Sequence, residues 1–401
     1  MTQLDPLINL LSAMAFGQSL FSASLLLAQI RARMFTIPLV VFFIANAVTE
    51  LPDIYSNFFG SEESFETLLI SVLSGSFLLV LPPSYWLYMR ALTSDKRHEF
   101  RLNDSWHFVP FILGWPAALG LWHLVQLSEA GALAETESLI VILNIAFVLL
   151  MFLAFPFVQF TFYLYKVVRR MLTYRDRLKD QFSSTEGREL TWTIWIGGLV
   201  SLYWVSEFGV GIATFIWRAL TDQSISLGFS EGSTSTAIIA FVLVWSLSIF
   251  GLRQNKGLAE QTTEATETQE VSETEKYKNS ALSEPQLESF AGRIEQQMQS
   301  GRLFEDPNLT LRGLASEVGI LPNYVSQTLN AKIGKTFFDY VNDYRVEAAK
   351  KVLHTTHLPA HDVALEVGFN SRSAFYRAFK NTTGMTPKQF RDTQNELQKL
   401  S

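Results

Sequence analysis

A few polar side chains set in long apolar runs are the first candidates for chemistry. Asn46, Glu50 and Asp53, continued by Asn57, fall at i, i+4, i+7 and i+11, a spacing that puts one polar stripe on one helical face. Tyr203 and Glu207 stand one turn apart in a second run, and His123 lies in a third. A charge at mid-bilayer costs about 2.5–3.5 kcal/mol, so acidic groups kept there need a partner, a proton or a task. One reading is a shared pocket that takes up a ligand or responds to external pH, with His123 supplying positive charge. The other places Asp53 at the headgroup level and makes Glu50 and Glu207 protonated or hydrogen-bonded packing groups.

Most catalytic chemistry is excluded. The chain has no cysteine, which removes disulfides, Cys-based zinc sites, iron–sulfur clusters and thiol nucleophiles together. The signatures HExxH, GxSxG in a strand-turn-helix setting and the Walker phosphate loop are missing too. His354, His357 and His361 have metal-like spacing, but Pro359 interrupts the helix that would align them, so they read as solvated. No cofactor, metal or enzymatic activity is expected.

The elements that carry the polar stripe follow from composition. Of 401 residues, 48% are hydrophobic and 17% charged, with a net charge of −6, and all nine tryptophans precede residue 253. Apolar segments fall near 7–30, 34–58, 65–90, 106–127, 138–166, 190–217 and 234–252, each of a length suited to crossing a bilayer. Their connections alternate in charge. Arg31 and Arg33 are followed by Glu62, Glu63 and Glu66, then Arg90, Lys96, Arg97 and Arg101, then Glu129, Glu135 and Glu137. Next come Lys166, Arg169, Arg170, Arg175, Arg177 and Lys179, then Asp222 and Glu231, with Arg253 and Lys256 at the exit. The positive-inside rule makes the odd connections cytoplasmic, so the N-terminus lies outside and the C-terminus inside. Asp5, with no Lys or Arg ahead of it, argues for a retained first helix rather than a secretory signal.

Residues 254–283 are rich in Thr, Glu and Gln and nearly free of apolar groups, which marks a flexible cytoplasmic linker. From Pro285 the pattern turns amphipathic, with Leu287, Ile294 and Met298 on one stripe. TLRGLASEVG predicts a helix capped by Thr310 and ended at Gly319, with a second helix from Asn323 to about Lys332. This helix-turn-helix repeats as VALEVGF and SRSAFYRAFK: Ala315, Val318 and Gly319 recur as Ala364, Val367 and Gly368, and Val325 and Leu329 as Phe375 and Phe379. Between the two units a helix over 337–353, about 25 Å long, can hold two recognition helices about one DNA turn apart.

The stretch DVALEVGFNSRSAFYRAFKNTTGMTPKQFR, together with YRVEAAKKVL, resembles the AraC/XylS family of bacterial transcription regulators over residues 300–392. The family's usual N-terminal sugar-binding barrel is replaced by the apolar half, which is similar to a group of membrane-embedded regulators in Gram-negative bacteria. The resemblance implies outward positions Asn323, Ser326 and Gln327 on the first recognition helix and Arg372, Ser373, Tyr376, Arg377 and Lys380 on and around the second. Gln and Asn can pair with adenine, Arg with guanine, and Ser, Tyr, Arg or Lys with phosphates. Lys332, Lys335, Lys350, Lys351 and Lys388 are further phosphate candidates, each equally readable as a solvated surface residue. Residues 280–401 carry 14 Lys and Arg against 13 Asp and Glu, so nonspecific affinity should be modest.

The expected architecture is all-α: a seven-helix transmembrane bundle (1–253), the linker, and a tandem helix-turn-helix domain (284–401). The expected function is a one-component regulator in the bacterial inner membrane that senses an unidentified signal and binds double-stranded promoter DNA. Its expected partners are the lipid bilayer, a second copy when active, and RNA polymerase if it activates. The competing class is a transporter-like or enzymatic membrane domain fused to a DNA-binding domain. Such a transporter would favour internal repeats with broken helices, and none is seen.

Overall fold

The protein is described by a computed structural model that covers residues 6–29, 34–58, 65–94, 102–129, 143, 147, 155–186, 189–203, 234–253 and 282–400. Among these residues every regular element is helical, apart from an isolated antiparallel bridge between Phe182 and Thr310. The chain forms two units, Met1–Met171 with Thr191–Ala265, and Leu172–Leu190 with Thr266–Ser401.

In the first unit the apolar runs become helices at Pro6–Ala28, Ile37–Thr49, Leu51–Phe58, Phe65–Gly75, Leu81–Leu92, Val109–Glu129 and Thr234–Arg253, with the start of Phe155–Gln181. Among the described residues two helices, Asn9–Ala28 and Leu69–Leu92, are long and apolar enough to cross a membrane; Ile37–Thr49, Trp192–Tyr203 and Ala237–Arg253 are shorter apolar helices. Pro82 and Pro83 stand in the first turn of Leu81–Leu92 behind a 3₁₀ turn at Ser76–Val80, where their missing N–H groups leave no bond broken. Short polar bonds tie the helices: Ser22 to Ser248 at 2.6 Å, Gln18 Nε2 donating to Ser248 Oγ at 2.8 Å, and Asn46 Nδ2 donating to Ser19 Oγ at 3.1 Å. Small hydroxyls allow apolar helices to approach closely while satisfying one another.

The second unit has two adjoining cores. One gathers Ile294, Met298, Leu314, Val318, Val325, Leu329, Phe337 and Val341; the other gathers Val346, Leu353, Val363, Val367, Phe375 and Phe379. The helix Phe337–Thr355 contributes to both, as its two apolar faces require. Ala315, Ala364, Val325, Leu329, Phe375 and Phe379 are all fully buried, as the sequence repeat implies. Glu284–Ser300 opens with a capping box from Ser283 and Gln286 and lays Leu287, Ile294 and Met298 inward.

Candidate nucleic-acid interface

Each helix-turn-helix unit is built by caps written in the local sequence. Thr310 Oγ1 accepts from Gly313 N at 3.0 Å to start Leu311–Val318, which Gly319 ends with φ at 69°. The first recognition helix is Pro322–Thr328, shorter than expected, because the ladder widens into a π turn at Leu329–Ile333 before Gly334. In the second unit Ala360–Glu366 leads to Gly368, and Ser371 caps the recognition helix Arg372–Thr383 by accepting from Ala374 N at 3.2 Å. A Cβ on Gly368 would lie 2.5 Å from the Phe304 carbonyl oxygen, so this turn needs both glycine's positive φ and its lack of a side chain.

The residues expected to meet DNA occupy outward positions. Asn323 is exposed, and Ser326 and Gln327 are half-buried. Arg372, Ser373, Arg377 and Lys380 are exposed on the second recognition helix. The Arg372 guanidinium lies 4.9 Å from the centre of the Tyr376 ring and donates to its hydroxyl at 3.3 Å, which holds a planar donor fork near the surface. Other candidate cations are engaged within the protein. Lys332 pairs with Glu284 at 2.5 Å and Glu288 at 3.1 Å, which hold its ammonium above its ordinary pKa, while Lys335 pairs with Asp343 and Lys350 with Glu347. Lys332 thus ties Glu284–Ser300 to the first helix-turn-helix.

The residue that sequence reasoning missed is Arg345, 1% exposed on Phe337–Thr355. Its Nε donates to the Phe304 carbonyl at 2.7 Å and its Nη2 to the Asp306 carbonyl at 2.8 Å. Both guanidinium nitrogens also reach Ser183, Nη1 to its carbonyl at 3.2 Å and Nη2 to its Oγ at 3.1 Å. The guanidinium lies 5.5 Å from the centre of the Phe369 ring. Burial pushes its pKa down to about 10, leaving it charged at neutral pH. Arg345 therefore joins the loop before the first unit, the turn of the second and the segment around Ser183.

In the first unit of the fold, Asn46, Glu50, Asp53 and Tyr203 all line one cavity of about 270 Å³, with Thr49, Tyr85 and Tyr163 beside them and Leu78, Leu243 and Leu247 among the apolar walls. Ser12 Oγ donates to Asp53 Oδ2 at 2.9 Å. His123 is exposed on Val109–Glu129 and does not line this cavity. Glu207 lies outside the described residues. Among the described residues no cluster of His, Asp or Glu could hold a metal ion.

Residues 314–393 match the protein family described as a helix-turn-helix domain. The chain is 33% identical over 86 residues to the arabinose operon regulatory protein of Escherichia coli (strain K12), covering 21% of this chain and 30% of that protein. It is 26% identical over 168 residues to the uncharacterized HTH-type transcriptional regulator YtdP of Bacillus subtilis (strain 168), covering 40% of this chain and 21% of that protein. Among solved structures it is similar to the C-terminal domain of AraT, a response regulator from Geobacillus stearothermophilus, with 31% identity, a TM-score of 0.24, and coverage of 28% of this chain and 88% of that chain. The chain thus spans less than a third of the length of these curated relatives, which are regulators and not enzymes. The C-terminal part of the chain is an AraC-type helix-turn-helix DNA-binding domain.

Proposed function

We propose that the protein is a membrane-embedded, one-component transcription regulator that binds promoter DNA through both helix-turn-helix units and senses a signal through its apolar half. The observation that carries the DNA reading is the pair of outward polar recognition helices, Pro322–Thr328 and Arg372–Thr383, built on one long spacer helix. Sequence readout falls to Arg372, Arg377, Gln327 and Asn323, with Ser326, Ser373, Tyr376 and Lys380 positioning the backbone. Two observations support the membrane reading. The helices of the first unit are apolar, and they turn large apolar side chains outward, among them Phe21, Ile112, Val158 and Trp195. The alternating loop charges then orient a seven-span bundle with its C-terminus in the cytoplasm.

The cavity bordered by Asn46, Glu50, Asp53 and Tyr203 is the sensing site in this reading. Two copies act together on DNA, since confinement to a membrane raises their effective concentration. RNA polymerase is the further partner if the response is activation. Binding of selected duplexes by the full chain tests the DNA reading. Arg372→Ala or Arg377→Ala should cost about 1–3 kcal/mol at sites where the side chain pairs with guanine. Unchanged binding by both variants would refute the assigned recognition helix.

A further inference from the structure

The second unit contains a stretch that belongs to no helix-turn-helix unit: residues 172–190, which continue from the helix Phe155–Gln181. Phe182 forms an antiparallel bridge with Thr310, the cap of the first helix-turn-helix. Ser183 donates twice to the Leu309 carbonyl, from its backbone N at 3.2 Å and its Oγ at 2.7 Å, and accepts from Arg345 at its own carbonyl and Oγ. Three residues on, the Glu186 carboxylate accepts from Ser371 Oγ at 2.5 Å and Ser373 Oγ at 3.1 Å. The segment therefore binds the loop before the first unit and the first turn of the second recognition helix together.

We propose that residues 182–186 form an intramolecular latch that competes with DNA for the second recognition helix. This rests on the DNA-binding reading above. A helix N-terminus favours an anion, and in a helix-turn-helix the N-terminal residues of the recognition helix are those that reach base edges. Glu186 places a carboxylate on Ser371 and Ser373, so the place a phosphate or base edge would take already holds a negative charge. A DNA backbone brought to the same turn would face that charge with its own. DNA entry at the second unit requires Glu186 to leave, whereas Arg345 can keep Phe304 and Asp306 when Ser183 goes.

The latch also gives the apolar half a route to the DNA reader that avoids the Thr- and Glu-rich linker. Residues 182–186 are continuous in sequence with Phe155–Gln181, whose first part belongs to the first unit, as Thr191 and the residues after it do. A change in that helix or in the run after Thr191 would pull on the latch directly.

The test uses the full chain in membrane vesicles and a labelled mixed-sequence duplex. Glu186→Gln and Glu186→Ala should bind about tenfold more tightly than the wild type, the scale of one charge-assisted hydrogen-bond site. Because the chain has no cysteine, Phe182→Cys with Thr310→Cys gives a single possible disulfide within one chain, across an antiparallel bridge, where Cα atoms lie roughly 4.5–5.5 Å apart and a disulfide can form. The oxidised protein should bind duplex more weakly than the same protein after reduction. Glu186 variants that bind like the wild type, with oxidised and reduced pairs also equal, overturn the latch while Arg372→Ala still loses binding. If Arg372→Ala and wild type are alike on every duplex, the DNA reading itself fails and the latch with it.

Discussion

Replacement of Arg345 by methionine removes the one charged side chain that, among the described residues, is almost fully buried in the DNA-binding unit. Exchanging a buried ion pair for apolar groups is often harmless, because both charged partners leave together. Here the acceptors are main-chain oxygens that stay behind: Phe304 at 2.7 Å and Asp306 at 2.8 Å. The Asp306 carbonyl keeps the Leu309 N–H at 3.2 Å, so the Phe304 carbonyl is the acceptor left without a donor, at a cost of about 1–3 kcal/mol. Methionine recovers part of the packing and sheds the desolvated charge, which leaves a net loss of about 1.5 kcal/mol. For a domain of roughly 120 residues this lowers Tm by about 6 °C. Circular-dichroism melting of a fragment spanning residues 282–401 measures it without any contribution from Ser183. Arg345→Lys should fall between, since one ammonium cannot span both carbonyls as the guanidinium fork does. A melting point for Arg345→Met equal to or above that of the wild type would refute the claim that this arginine ties the two helix-turn-helix units together.

Gly368→Ala should destabilise the same fragment by more than about 2 kcal/mol, the left-handed penalty of about 1–2 kcal/mol being raised by the carbonyl 2.5 Å from the new Cβ; a melt unchanged from wild type would contradict the turn geometry. A phosphatase reporter fused after Glu66 or Ser138 should be active, and one after Arg101 or Lys179 inactive; the reverse pattern would sink the assigned orientation. Glu50→Gln should lock target expression on or off at unchanged protein level, whereas a normal response would make this carboxyl a packing group.

What the sequence made legible was local. Thr310, Gly319 and the repeat of apolar positions in the two helix-turn-helix units are decided within a few residues, and the structure places each as its chemistry demands. The polar stripe survives although the run over 34–58 is two helices meeting at Glu50. Glu50 keeps αR angles, and Ile54 N still bonds to its carbonyl at 3.3 Å, so the i, i+4, i+7 faces stay aligned. Burial of Arg345 and docking of Ser183 and Glu186 were not legible. Arg345 bonds to carbonyls 41 and 39 residues away, Ser183 and Glu186 find partners more than 100 residues away along the chain, and a Ser-Ser-Thr-Glu connection has no periodicity to announce that it is bound. The π turn at Leu329–Ile333 was equally hidden, since Asn330 to Lys332 continue a helical pattern.

The central claim is that a membrane-embedded chain reads DNA with two helix-turn-helix units. Cross-linking DNA to the full chain in living cells, followed by isolation of membranes and sequencing of the DNA retained, tests it most directly. Discrete enriched sites should contain two contact regions about one helical turn apart and be lost when Arg372 and Arg377 are both replaced by alanine. Recovery of the chain in membranes with no enriched sequence, or with the same sequences after both replacements, would contradict it.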